Sequence, residues 1–251
     1  FSKIKEITIE ANPGESPRSR LREYRELGVN RVSFGFQSLN DDILKFLDRL
    51  HSKNQCISAF HDAREAGFTN INADMIFNIP GQSIQILKEN IDSLIELSPE
   101  HISCYSLTVE RGTKLYYRVK NGSVKMPSEE QDYQMYKNLI DRLIEKNYTQ
   151  YEVSNFCRED RECIHNLHYW ELDPYLAFGP SAHGFNGKKR WWNYRSLDKY
   201  IEVINSGKLP IQSQETLTRK NRINELIMNG LRTSNGVKIN NLKALGYQLK
   251  L

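Results

Sequence analysis

The sequence has 251 residues, 39% apolar and 26% charged, a composition typical of a folded globular protein with one large domain or two of ordinary size. Its formal net charge of +4 is spread along the chain, with acidic and basic residues interleaved, so nucleic acid is not expected as a partner. The apolar runs are too short to span a bilayer. The four cysteines form no CxxC pair, which favours a reducing compartment, and we expect a cytoplasmic protein.

Both ends of the sequence look like positions inside a longer chain. The sequence begins with Phe1 rather than Met and reaches a strand-like run within a few residues. It stops at Leu251 without a terminating signal. We therefore expect an interior fragment of a longer protein.

The first part of the chain repeats a pattern of strand followed by helix. Four strands are predicted from alternating or β-branched runs at 4–10, 30–36, 70–77 and 101–108. The first helix is predicted to have Ser16 as its cap and Pro17 in its first turn, and to stop at Gly28. Two helices follow the second strand, the first capped by Asn40, and a helix over 83–97 follows the third. This alternation predicts parallel βαβ units, which are too few to close an eight-stranded barrel and form an arc of one.

The pattern changes after residue 110. Glycines and a proline indicate a linker, and Ser128 and Gln131 form a capping box that opens a long amphipathic helix. The other predicted elements are a strand at 151–156, an aromatic segment, a glycine-rich stretch at 177–187 and helices near 196–206 and 218–231. We expect two domains: a partial parallel (β/α) barrel of the α/β class at 1–115, and a smaller α+β domain at 116–251.

Polar side chains mark the predicted strands: Glu10, Gln37 and Thr108 lie at their ends, and Asp74 lies inside the third. Active sites of parallel α/β folds lie at the carboxyl ends of strands, so these side chains predict a binding face. Carboxylates suit the hydroxyl groups of a ribose and an amino acid ammonium, and Arg49 could bind a carboxylate through two hydrogen bonds. The alternative is that the strand-end residues only satisfy loop backbone and that Arg49 is an ordinary surface residue.

The run from His165 to Trp170 holds two imidazoles, a carboxamide, a phenol and an indole. Histidine binds transition metals and haem iron, and tyrosine and tryptophan offer flat apolar faces. A flat, metal-centred macrocycle needs this set of side chains. The alternative is that they are ordinary core or surface residues. The basic and aromatic run at 188–195 is expected to be strand and turn, rather than a platform for single-stranded nucleic acid or an anchor for haem propionates.

Several motifs, in order along the chain, resemble one family. They are EANP at 10–13, VSFGFQS at 32–38, NADMIFNIPGQ at 72–82, HISCYSL at 101–107, QYEVSNF at 150–156, HNLHYW at 165–170 and FGPSAHG at 178–184. Together they resemble the radical S-adenosylmethionine (radical SAM) family that contains the oxygen-independent coproporphyrinogen III oxidases and the HemW-type haem chaperones. The resemblance covers nearly the whole chain, and the HNxxYW run is typical of the chaperones rather than the oxidases.

The resemblance implies roles for the strand-end residues. Glu10 matches a residue that binds S-adenosylmethionine (SAM) at a [4Fe–4S] cluster. Gln37, Arg49, Asp74 and Thr108 match positions that contact a second SAM on the substrate side in the oxidases. The family holds its cluster with a CxxxCxxC signature, and no cysteines of this chain have that spacing. We expect the cluster ligands upstream of this chain.

The resemblance also implies a haem site in the second domain. His165 matches the family's candidate ligand of haem iron, and Tyr169 and Trp170 are candidate walls of the site. His168 occupies a variable position of the motif and is a candidate second ligand. His183 stands where the oxidases have an apolar residue near the first SAM, which leaves its role open.

Three hypotheses follow, in order of preference. The first is a haem chaperone that uses SAM and a cluster in assembly or dimerisation and delivers haem to haem proteins of the respiratory chain. The second is an oxygen-independent coproporphyrinogen III oxidase, which converts two propionates to vinyl groups; an iron-free porphyrinogen, however, needs no axial histidine. The third is a TIM-like barrel protein that has lost its site and has only a structural role. A homodimer and peripheral contact with a membrane stay open.

Overall fold

The computed structural model describes residues 4–247, and the chain forms two compact units that divide between Glu162 and Cys163. The first unit is α/β, and the second combines helices with a small antiparallel sheet. Elements on both sides of residue 115 pack within the first unit. The domain boundary predicted there stays a prediction.

A six-stranded sheet forms the centre of the first unit. Its strands are β1 (Thr8–Ala11), β2 (Arg31–Gln37), β3 (Ile71–Phe77), β4 (His101–Ser106), β5 (Thr149–Glu152) and β6 (Asn155–Cys157), in the order β1-β2-β3-β4-β6-β5. Strands β1 to β4 are parallel, whereas β6 is antiparallel to both β4 and β5. The predicted parallel βαβ units are confirmed.

Of the six helices in the described part of this unit, the first, third, fourth and sixth bury apolar side chains in one core with the sheet. The six helices are α1 (Arg18–Glu26), α2 (Asp41–Phe46), α3 (Lys53–Glu65), α4 (Ile84–Leu97), α5 (Lys114–Lys120) and α6 (Glu129–Glu145). Ala73 and Met75 of β3 are buried in the same core as Leu87 of α4. Asn72 and Asp74 alternate with them and therefore point to the opposite face. The polar side chains thus share a face that is separate from the apolar core.

Three helix starts test the caps predicted from the sequence. Asn40 accepts a hydrogen bond from the backbone N–H of Ile43 at 3.1 Å, and Ser128 forms the predicted capping box with Gln131. Ser16, in contrast, is not a cap. Pro17 keeps an extended ψ of 157° and takes the capping position, so the helix begins one residue later than expected and has no side-chain cap.

Two other segments differ from the sequence-based expectation. The strand predicted at 151–156 is a hairpin of β5 and β6, because Val153 and Ser154 turn the chain between them. The predicted linker contains α5, whose cap Thr113 accepts a hydrogen bond from the backbone N–H of Tyr116 at 3.2 Å. Both elements are too short for hydrophobic periodicity to reveal.

The second unit begins with α7 (Ile164–Trp170). Its antiparallel sheet contains β7 (His183–Phe185), β8 (Lys189–Asn193) and β9 (Ile211–Thr216), and its other helices are α8 (Leu197–Asn205), α9 (Arg219–Gly230) and α10 (Ile239–Ala244). The run at 188–195 is strand and turn as expected, and the two predicted helices are confirmed as α8 and α9. None of the helices within residues 4–247 has the length and apolar character needed to cross a membrane.

Candidate functional site

A row of polar residues crosses the four parallel strands. Glu10 of β1, Ser33 of β2, Asn72 of β3 and His101 of β4 are successive register partners. Register partners on neighbouring strands point to the same face of a sheet, and Asp74 lies two residues beyond Asn72 on that face. The structure therefore brings together Glu10 and Asp74, two of the residues singled out from the sequence.

Asn72 is the centre of a buried hydrogen-bond network. Its Nδ2 donates to Ser33 Oγ at 2.7 Å and to Asp74 Oδ1 at 2.8 Å. Its Oδ1 accepts from Ser103 Oγ at 3.2 Å and lies 2.6 Å from His101 Nδ1. Because Asn72 is only 1% exposed, water does not compete for these contacts. The amide is fixed with its donor group towards the carboxylate of Asp74.

His101 extends the network to the hairpin. Its Nε2 lies 2.7 Å from the hydroxyl of Tyr151, and its side chain is fully buried. Burial, aided by the positive charge of Arg31, lowers the pKa of His101 well below its usual range, so the ring is neutral near pH 7. A neutral ring that carries its proton on Nδ1 donates to Asn72 and accepts from Tyr151, which satisfies both contacts.

The electrostatics of this face shift the pKa values of Asp74 and Tyr105. Burial raises the pKa of the Asp74 carboxyl, hydrogen bonds from Asn72 and Ser103 oppose that rise, and the nearby charge of Glu10 adds to it. Burial and the charge of Asp74 raise the pKa of Tyr105 to about 12, so its phenol stays protonated. The face can therefore accept hydrogen bonds from hydroxyl or ammonium groups.

Gln37 and Arg49 both lie beside the loop that follows β1. Gln37 ends β2 with a φ of 65°, after a shift in register between β2 and β3. A Cβ at Gly35 would come within 2.8 Å of Gln37 Nε2 and 3.4 Å of Asn12 Oδ1, so a side chain there would displace this amide. Arg49 is exposed and, with Asn12 and Gly14, lines a cavity of about 350 Å³.

Thr108 lies two residues beyond the end of β4, in an exposed loop. It continues the strand that carries His101, at the carboxyl end where a parallel sheet places its ligands. The SAM-binding roles of Thr108, Gln37 and Arg49 stay predictions, as do those of Glu10 and Asp74.

Helix α7 places His165 and Tyr169 one turn apart on its exposed side. Their rings meet edge to face with centroids 4.8 Å apart, and Tyr169 meets Tyr175 in the same way at 4.6 Å. Tyr175 continues the chain of rings to Phe185 at 6.0 Å, which ties α7 to β7. Burial, with a smaller effect of Tyr175, raises the pKa of Tyr169, so the phenol is uncharged near pH 7.

Trp170 lies on a different side of α7, five residues after His165. The guanidinium of Arg232 stands over its ring at 5.0 Å from the centroid. The indole lines a small cavity with Leu226 and Gly230 of α9, and its buried Nε1 has no hydrogen-bond partner among the described residues. The structure pairs Tyr169 with His165, whereas Trp170 packs towards α9, and its role as a wall of the haem site stays a prediction.

The other two histidines of this unit have different surroundings. His168 Nδ1 lies 2.7 Å from Asp173 Oδ2, and 54% of the His168 side chain is exposed. His183 stacks on its register partner Trp192, with ring centroids 5.9 Å apart. That contact is an ordinary cross-strand aromatic pair. It does not decide the role of His183.

Part of the first unit matches the model of a known protein family. The model of the radical SAM superfamily matches residues 1–94, the stretch that carries β1, β2 and β3 with most of the polar row. Over these residues the chain is similar to the radical SAM superfamily. The matched stretch contains Glu10 and Asp74.

Two of the similar curated proteins are named heme chaperones, and a third is named for its radical SAM domain. The heme chaperone HemW of Bacillus subtilis is 36% identical over 236 residues, which are 94% of this chain and 62% of the relative. HemW of Mycobacterium tuberculosis is 37% identical over 212 residues, 84% of this chain and 54% of the relative. The mitochondrial radical S-adenosyl methionine domain-containing protein 1 of Danio rerio is 34% identical over 245 residues, 94% and 55% respectively. The chain spans less than two thirds of the length of each.

A solved radical SAM structure has the same fold. Coproporphyrinogen III oxidase (HemN) from Escherichia coli superposes with a TM-score of 0.79 over 96% of this chain and 58% of that chain, at 21% sequence identity. The likeness extends into the second unit, since it covers nearly all of this chain. At this identity it shows the fold alone.

The similarity to the radical SAM superfamily implies SAM and a [4Fe–4S] cluster, and such a cluster needs thiolate ligands. The four cysteines are buried and form no disulfide with one another, and burial raises the pKa of Cys56 and of Cys157 to about 12. Within residues 4–247, no three His, Cys, Asp or Glu side chains are grouped to hold a metal ion. These residues do not fit the cluster. The carboxylate and amide groups around Asp74 do fit the ribose and amino acid parts of SAM.

The sequence analysis did not identify the residues whose hydrogen bonds hold the candidate site residues in place. Asn72 and Asp74 are two apart on one strand, and His101 and Ser103 are two apart on the next, so period-two alternation could have placed them on one face. Tyr151 carried no such signal, because its contact with His101 depends on the pairing of β6 with β4. Asp173 gave no signal either, since nothing in the sequence shows that the chain turns back after α7.

Proposed function

We propose that this chain is the haem-binding and SAM-binding part of a HemW-type haem chaperone. Haem is its cargo and binds at the exposed side of α7, and SAM binds at the carboxyl ends of β1 to β3. The observation that carries the proposal is the edge-to-face pair of His165 and Tyr169 on that exposed side. An exposed imidazole held by a neighbouring ring suits a cargo that has to be both taken up and released.

In the haem site, His165 supplies the nitrogen ligand of the iron. Tyr169, itself held by Tyr175, limits the rotation of the imidazole and offers a flat apolar edge to the macrocycle. The relatives from Bacillus subtilis and Mycobacterium tuberculosis are both named heme chaperones, which supports the same cargo for this chain. We propose haem proteins of the respiratory chain as recipients and the cytoplasm as the compartment.

The carboxylates of Glu10 and Asp74 accept hydrogen bonds from the ribose hydroxyls and ammonium group of SAM, Glu10 from the molecule at the cluster and Asp74 from a second molecule. The hydrogen bond from Asn72 fixes the orientation of the Asp74 carboxylate before the ligand binds. Arg49, with Gln37 near the same loop, binds the ligand's carboxylate. Bound SAM serves assembly of the chaperone in this proposal.

An anaerobic titration with haem, followed in the Soret band, tests the cargo. We expect the protein to bind one haem with a shifted Soret maximum, and His165→Ala to weaken binding at least about tenfold, the loss of a favourable ligand bond. His61→Ala, which removes an exposed histidine of α3, is the matched control and should bind as the unaltered protein does. Spectra of free haem from all three proteins would contradict the proposal.

Calorimetric titration with SAM tests the second site. Asp74→Asn should weaken binding about tenfold, because a charge-assisted hydrogen bond becomes a neutral one. Asp141→Asn, on the exposed side of α6, is the control. Equal affinity in the two variants would exclude Asp74 from the SAM site.

One observation favours a second function. The fold likeness to coproporphyrinogen III oxidase covers 96% of this chain, and Gln37, Arg49 and Asp74 match polar positions of that family. The alternative is therefore an oxygen-independent coproporphyrinogen III oxidase. An anaerobic assay of the full-length, cluster-reconstituted protein for loss of carbon dioxide from coproporphyrinogen decides between the two.

A further inference from the structure

We propose that His168, oriented by Asp173, is a second ligand of haem iron and takes the iron in exchange with His165. This inference rests on the proposed function, because it assumes that haem binds at α7. It adds a residue at a position that lies between the fixed letters of the HNxxYW motif.

The first argument is the geometry of the side chains. His168 Nδ1 lies 2.7 Å from Asp173 Oδ2, with 54% of the histidine side chain and 44% of the aspartate side chain exposed. A carboxylate at this distance accepts the Nδ1 proton and leaves the lone pair of Nε2 available. Metal-bound histidines in proteins very often have such a carboxylate on their other nitrogen, which fixes the ring and makes it a stronger donor.

The second argument is the backbone that builds the pair. Leu172 has a φ of 59°, a left-handed conformation that residues with a Cβ rarely adopt. This conformation lets the N–H of Leu172 donate to the carbonyl of Tyr169 at 3.2 Å and the N–H of Asp173 donate to the carbonyl of His168 at 2.9 Å. The bonds are those of a Schellman turn, which usually places glycine where Leu172 stands. His168 and Asp173 are thus joined by the backbone as well as by their side chains.

This double connection separates the pair from an ordinary surface ion pair. Two long exposed side chains lose conformational freedom when they pair, and such pairs contribute little. Here the turn has already brought Asp173 back to His168, so the imidazole is held before any ligand arrives. Unfavourable backbone conformations of this kind are concentrated at functional sites.

The third argument concerns the relation of the two histidines. His165 and His168 are three residues apart on α7 and are neighbours on its surface. The two axial positions of haem iron lie on opposite faces of the porphyrin, so adjacent histidines of one helical turn cannot fill both. They compete for one face. Haem can therefore pass from one imidazole to the other without leaving α7.

Four variants test the exchange: His165→Ala, His168→Ala, the double variant, and Asp173→Asn in the His165→Ala background. Haem is titrated into each protein in the Soret region, and the iron–histidine stretch of the ferrous form is recorded by resonance Raman spectroscopy. Each single histidine variant should keep a histidine-ligated haem, and the double variant should lose it. Asp173→Asn should weaken binding about 10- to 100-fold and lower the stretching frequency, because the imidazole becomes a poorer donor.

Asp198→Asn, on the exposed first turn of α8 in the same unit, is the matched control and should change neither reading. The inference is overturned if His165→Ala abolishes histidine ligation while His168→Ala leaves the spectrum unchanged; the proposed function then stands with one ligand. It is also overturned if Asp173→Asn leaves affinity and frequency as they were. If the unaltered protein binds no haem, the proposed function itself fails.

Discussion

The buried imidazole of His101 makes the stability of the first unit dependent on pH. Burial and the charge of Arg31 lower its pKa well below the ordinary value of 6.5, so the folded protein keeps the ring neutral where the unfolded chain binds a proton. The stability contributed by the neutral ring is present above about pH 6.5 and is lost as the pH falls below it. One extra proton bound by the unfolded chain lowers the free energy of unfolding by about 1.4 kcal/mol between about pH 7.5 and 5.5.

The measurement is urea unfolding followed by far-ultraviolet circular dichroism at several values of pH. The unaltered protein is compared with His101→Gln, which keeps a polar side chain in the network but does not titrate. The variant is expected to be less stable at every pH, since Tyr151 and Asn72 lose a buried partner. Its free energy of unfolding should nevertheless fall by about 1.4 kcal/mol less on acidification than that of the unaltered protein.

A second variant shows whether the effect belongs to this histidine. His61→Gln removes an exposed histidine of α3 and should leave the pH dependence as it was. The raised pKa of Asp74 gives stability at low pH that is lost as the pH rises through its folded value. That contribution is common to all three proteins and cancels in the comparison. Equal losses on acidification in the unaltered protein and His101→Gln would refute a dry, neutral network.

Three further predictions concern packing, backbone and thiols. Gly184→Ala should destabilise the second unit by about 1–3 kcal/mol and alter tryptophan fluorescence, because the new Cβ would lie 2.2 Å from a ring carbon of Trp191; unchanged thermal unfolding would disprove the close contact. Ser98→Gly should raise the free energy of unfolding by about 0.5–1 kcal/mol, since Ser98 ends α4 at a φ of 59°, and Ser98→Ala should not. Burial raises the pKa of Cys56 and Cys157 to about 12, so iodoacetamide at pH 8 should label these thiols only after unfolding, as mass spectrometry would show.

The parallel sheet could be predicted because each strand carries its own signal. The buried run of β3 and the helical period of α4 are local properties of the sequence, and their alternation allows few topologies. The hairpin of β5 and β6 could not be predicted in the same way. Its turn at Val153 and Ser154 has neither glycine nor proline, and its position depends on pairing with a strand about fifty residues earlier.

The residues that face the ligand in the candidate site could be predicted from the sequence, whereas the residues that orient them could not. Glu10 lies near the end of β1 and Asp74 in the middle of β3, on strands of one parallel sheet, so their convergence could be expected from the strand pattern. The orientation of Asp74 depends on its hydrogen bond from Asn72. Asn72 is in turn held by His101, which lies 29 positions further along the chain. Register between strands decides such contacts, and the sequence contains no local signal for it.

The two candidate sites differ in how firmly the protein holds their side chains. Asp74 receives a hydrogen bond from Asn72, which is 1% exposed and has no water to exchange with. His168 and His165 lie exposed on a helix of seven residues, held by a carboxylate and by an aromatic edge. A carboxylate that is already fixed loses little conformational freedom when a molecule binds to it, which favours retention of that molecule. Exposed histidines bury little surface on binding, so little desolvation has to be reversed on release. The first arrangement suits a cofactor that stays bound, and the second suits a cargo that leaves.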